Sequence, residues 1–141
     1  MTVPGDARLL TLSADRRAAG EARDFTGKIL SEWAVAGEAV HDLLLIVSEL
    51  VTNAVVHGAA PVHLRLWTAD GCVRGAVDDH GDGRPRAITS GDPLSREMSE
   101  NGRGLALVTA LARTVSWHRL PEGGVRVWFS YALNGVEAPS G

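Results

Sequence analysis

Two polar residues sit in a stretch of sequence that is otherwise apolar. Glu49 and Asn53 are four apart, so on a helix they lie one turn apart on the same face. Leu45, Val47, Leu50, Val51, Ala54 and Val55 surround them. A carboxylate and an amide in such company need a partner, because leaving each one buried and unpaired costs about 1–3 kcal/mol. A magnesium ion meets that need, since it takes hard oxygen ligands, some from protein and the rest from water and phosphate. On this reading the Asn53 side-chain oxygen ligates the metal, and Glu49 orients or deprotonates an attacking hydroxyl or water. The alternative is that both groups face solvent at the edge of an amphipathic helix, and the pair alone does not decide between them.

A second constellation is Val77-Asp78-Asp79-His80-Gly81-Asp82-Gly83. Val73, Val77 and Asp79 share one parity along a strand, which places Asp79 on the apolar face at the strand's end. Asp78, of opposite parity, is expected to face outward. Gly81 and Gly83 allow the close backbone approach that a bound planar ring requires. A buried carboxylate there could accept a hydrogen bond from an exocyclic amine, as on adenine; an ordinary acidic turn is the plainer alternative. The third is Glu100-Asn101-Gly102-Arg103-Gly104-Leu105, directly before a helix. Glycines at a helix start expose backbone N–H groups to phosphate oxygens, aided by the helix dipole. Arg103 could pair with a phosphate or an acidic neighbour.

The elements that must position these residues follow from periodicity. Arg8 to Leu12 reads as a strand, with Ser13 or Asp15 capping a helix from Asp15 to about Trp33. Gly37 interrupts, and a second helix runs from Glu38 to His57 with Gly58 as its C-cap. Val62, Leu64 and Leu66 alternate with His63, Arg65 and Trp67, and Ala69-Asp70-Gly71 turns the chain into a partner strand from Cys72 to Asp78. His80 to Arg103 is rich in glycine, proline and polar residues, and so long an irregular segment is usually functional. A helix from Gly104 to Ala112 and a hairpin of Val115 to Arg119 with Val125 to Ala132 follow, and the tail at 134–141 is expected to fray. This order implies an α+β fold: a two-layer α/β sandwich with a mixed, mainly antiparallel sheet and helices on one face.

Glu…Asn on a helix, DxGxG after a strand, then GxG opening a helix resembles the N, G1 and G2 boxes of the GHKL (histidine kinase, gyrase and chaperone-type) ATPase superfamily. Leu45 to Gly58 and the closing hairpin from Gly123 to Phe129 are similar to its stand-alone anti-sigma-factor serine/threonine kinase branch. The resemblance runs from about Leu9 to Leu133. It implies ATP and Mg²⁺ as cofactors, with Asn53 as metal ligand and Glu49 as the catalytic carboxylate. It implies Asp79 as the adenine reader beside Gly81 and Gly83, and Gly102, Arg103, Gly104 and Leu105 at the phosphates. Residues 84–101 would be the ATP lid. The implied partners are an anti-sigma-factor antagonist, which would be phosphorylated, and a sigma factor, which would be bound; proteins of this branch are usually dimers. Two other readings are a nucleotide-sensing module that transfers nothing and a simple ATPase. Glu49 speaks against the first, and the short chain against the second.

Bulk properties narrow the classes further. The chain has 141 residues, one domain's worth, with 45% hydrophobic and 22% charged residues. Its net charge of −3 gives no basic field for nucleic acid or anionic lipid. The start lacks the pattern of a signal peptide, and the apolar run from Leu43 to Val47 is too short for a membrane span. With Cys72 as the sole cysteine, a cytoplasmic location is expected. No GxxxxGK[ST] motif and no protein-kinase motif set is present. Cys72 has no basic helper beside it in sequence and reads as a core residue.

Overall fold

The computed structural model describes residues 2–57, 59–81 and 104–133. Among them are five strands and three helices. Strand β1 (Arg8–Leu12) leads into helices α1 (Ala18–Glu32) and α2 (Glu38–His57). A hairpin of β2 (Val62–Ala69) and β3 (Cys72–Asp78) follows, then α3 (Gly104–Leu111), β4 (Thr114–Arg119) and β5 (Val125–Ala132). One sheet with the order β1-β2-β3-β5-β4 holds all five, and each described pairing is antiparallel. The fold is the expected α+β sandwich.

Local chemistry explains the element boundaries. Asp70 and Gly71 both take positive φ, 54° and 74°, the type I′ geometry whose twist suits a two-residue hairpin. Helix α1 starts three residues later than periodicity suggests. Asp15 Oδ1 accepts from the Arg17 N–H at 2.9 Å, and its carbonyl accepts from Ala18 N–H at 3.1 Å. The helix closes with Val35 N–H on the Leu30 carbonyl at 2.9 Å and Ala34 N–H on the Ser31 carbonyl at 3.0 Å. That is a Schellman ending, with Ala34 at φ 60° where glycine is usual.

One sheet face is the core. Val62, Leu64 and Leu66 of β2, Val73 and Val77 of β3, and Val125, Val127 and Phe129 of β5 point toward the helices. Leu43, Ile46, Val47, Leu50, Val51 and Ala54 of α2 meet them, with Ile29 and Leu30 of α1 behind. By length and composition α2 could span a bilayer, which the shorter run read from sequence did not suggest. Here it lies between α1, α3 and the sheet. The tryptophans divide between the two faces: Trp33 and Trp117 pack against the core, whereas Trp67 and Trp128 meet edge-on with Ala76 on the other face.

Candidate functional site

Helix α2 fixes Glu49 and Asn53 on its flank. Asn53 is buried, at 6% exposure, and its Nδ2 donates to the Glu49 carbonyl one turn back at 2.9 Å. Such a back-bond locks an asparagine rotamer in mid-helix. With the amide nitrogen engaged, the group's remaining polar atom is Oδ1, a hard oxygen acceptor. That donor chemistry fits a magnesium ion. Glu49 is half-buried beside it, so the expected pair does share one place on the helix.

Asp79 follows β3 directly, and its N–H donates to the Val125 carbonyl at 3.0 Å, extending the β3–β5 ladder by one step. The residue is 4% exposed on the core side, as parity predicts. Its Oδ1 accepts from the Gly81 N–H at 3.0 Å. This closes an Asx turn and carries the carboxylate into a sheltered place without abandoning it. Asp79 and Gly81 are thus held together in one turn, as their spacing suggested. Gly83, Gly102, Arg103 and the segment 84–101 lie outside the described residues, as do Gly58 and residues 134–141. Gly104 is the first residue of α3, as a GxG helix entry requires; the side-chain placement of Leu105 is likewise outside what is described.

Three features were not foreseen from the sequence. Asp78 does take the opposite face from Asp79, but it is buried rather than solvated. Arg126 binds it through Nε at 2.6 Å and Nη2 at 2.7 Å, and Arg65 Nη1 adds a third bond at 3.0 Å. The Arg126 guanidinium is held above its usual pKa, chiefly by its hydrogen bond to Asp78, against the opposing effect of burial. This ion pair clamps the end of β3 between its two neighbours, one residue before Asp79. Gly124 is the second. At φ 93° it lies against the Asp79 backbone, and a Cβ there would overlap the Asp79 carbonyl oxygen. The sequence placed Gly123 and Gly124 only at the start of the closing hairpin. The third corrects the view that Cys72 lacks a basic neighbour: Arg113 Nη1 stands 3.8 Å from its sulfur. At 2% exposure Cys72 is still a core residue.

The histidine kinase-like ATPase domain family matches residues 12–131. Among solved structures, the RsbU and RsbW domains of Rv1364c from Mycobacterium tuberculosis align with a TM-score of 0.68 at 26% identity. That alignment covers 92% of this chain and 33% of the other, so the chain spans about a third of that structure's length. No curated protein matches at a significant level.

Proposed function

The chain belongs to the histidine kinase-like ATPase family, and from that premise we propose that it is a nucleotide-governed regulator of the anti-sigma-factor kind. It binds ATP with Mg²⁺, phosphorylates a serine or threonine of an anti-sigma-factor antagonist, and holds a sigma factor in its other state. The observation that carries this reading is the Glu49–Asn53 pair, in which the amide nitrogen is tied to the helix, so that the amide oxygen is the atom that would meet a cation. A domain that only bound nucleotide would need Asn53 and Asp79 but not a carboxylate at 49.

Bound ATP with its metal supplies a transferable γ-phosphoryl group of partly neutralised charge. Asp79 accepts from the exocyclic amine of the base. Asn53 would hold the metal through Oδ1. Backbone N–H groups opening α3 face the phosphates, with Gly102, Arg103, Gly104 and Leu105 as the assigned segment. Glu49 takes the proton of the acceptor hydroxyl as that oxygen forms its bond to phosphorus. The bond from the γ-phosphorus to the bridging oxygen breaks, and ADP leaves. A cytoplasmic location and association of two copies belong to the proposal, the latter read by sedimentation velocity.

The test is calorimetric titration of ATP with and without Mg²⁺, followed by transfer of labelled γ-phosphate to the antagonist. Asn53→Ala is expected to lose Mg-dependent binding by about tenfold or more, an effect of at least ~1.4 kcal/mol. Glu49→Gln is expected to bind ATP as before while transfer falls by about 10²–10⁴-fold. Undiminished binding by the first variant removes the metal assignment. Undiminished transfer by the second removes Glu49 as the base.

A further inference from the structure

The rings of His63 and His80 pack together on the sheet face away from the helices, with centroids 4.9 Å apart and planes inclined at 60°. His63 stands on β2, opposite Thr11 of β1 and Asp78 of β3. His80 comes one residue after Asp79, and its N–H donates to the Ala59 carbonyl at 3.0 Å. The backbone that seats this ring is thus the backbone of the Asp79–Gly81 turn. Neither imidazole has a part in the chemistry proposed above.

The groups facing the pair are weighted toward positive charge. β2 contributes Arg65 and β5 contributes Arg126, while the one acid facing the pair among the described residues, Asp78 of β3, is already bonded to both guanidiniums. β1 offers the neutral Thr11 hydroxyl, 3.3 Å from His63 Nδ1. His80 Nδ1 is shielded from solvent and has no hydrogen-bond partner among the described residues. Burial holds His63 below its usual pKa, and Arg65, His80 and Arg126 act in the same direction against Asp78. Two imidazoles could also hold a transition metal. However, the described residues contain no group of three metal-ligating side chains, and two guanidiniums repel a cation.

We propose that the His63–His80 pair makes the nucleotide site acid-sensitive: a proton taken up by His63 opposes the packing that seats His80, loosens the Asp79–Gly81 turn and weakens nucleotide binding as pH falls below neutrality. This rests on Asp79 as the reader of the base. The sign is fixed by the pair's environment. The packed arrangement favours a neutral His63 ring, so it is complete above the free-histidine value of 6.5 and is lost as pH falls through the lower value of the folded state.

Two measurements on the full chain test this. In an NMR titration, His63 is expected to protonate below 6.5, and the Gly81 amide to shift with the same midpoint. In His80→Gln the His63 midpoint is expected to move up toward the free value. A His63 midpoint unmoved by His80→Gln, or a Gly81 amide indifferent to it, overturns the proposal. Calorimetry with Mg-ATP at about pH 7.5 and about pH 5.5 is expected to show roughly tenfold weakening in the wild type and less than about threefold in His63→Gln. Protonation of ATP itself affects both proteins alike, so an equal loss in the two also overturns it. Absence of binding near pH 7.5 counts against the nucleotide reading instead, and the NMR titration then decides the histidine coupling by itself.

Discussion

Gly124 shows how a residue far along the chain can govern the site. It stands 45 positions after Asp79 in sequence, yet its missing side chain is what lets the β4–β5 turn lie on the Asp79 backbone. Gly124→Ala combines a left-handed backbone with a steric overlap, so it is expected to destabilise the fold by about 2–4 kcal/mol. Urea unfolding reads the stability loss, and calorimetry with ATP reads its effect on the site. The candidate site residues were legible because they are local: Glu49 and Asn53 by helical spacing, Asp79 by strand parity. Gly124 and the partners of Asp78 were not. Arg126 meets Asp78 through the β3–β5 register, and no short-range pattern fixes the register between strands so far apart in sequence.

At the scale of elements, the end of α1 shows a residue choice that works against its local geometry. Ala34 holds φ 60° in the Schellman ending, a conformation that disfavours a Cβ. Ala34→Gly is expected to raise stability by about 0.5–1 kcal/mol, after allowing for the greater freedom of glycine in the unfolded chain. A shift of the urea midpoint at constant slope would show it, and an unchanged or lower midpoint would refute it. A different link ties α2 to β5, where the Tyr131 hydroxyl donates to Asp42 Oδ2 at 2.6 Å. Burial, and then this bond, raise the tyrosine pKa above its ordinary value of 10.0. The folded state therefore retains its proton longer than the unfolded state. The contribution is present in full below 10.0 and is lost as pH rises above it. Tyr131→Phe is expected to cost about 1 kcal/mol near neutrality and to flatten the alkaline decline in stability. Helix and strand periods recovered most boundaries, but the start of α1 depended on an Asp15 side-chain bond that periodicity does not register.

The whole molecule is acidic, with a net charge of −3. It is expected to leave a DNA duplex unshifted in electrophoresis at about 0.15 M salt, because non-specific binding is supplied almost entirely by neutralised phosphates. A retarded band would show a local basic surface outweighing the overall sign. The sandwich itself was readable from the order of strand and helix patterns, whereas strand order was not. β5, the last strand, lies inside the sheet between β3 and β4. It also supplies the Val125 carbonyl that receives the Asp79 N–H. A polypeptide still emerging from the ribosome therefore carries Asp79 before the strand that steadies it has been made. Nascent chains stopped before Val125 should therefore hold the Asp79–Gly81 turn only loosely.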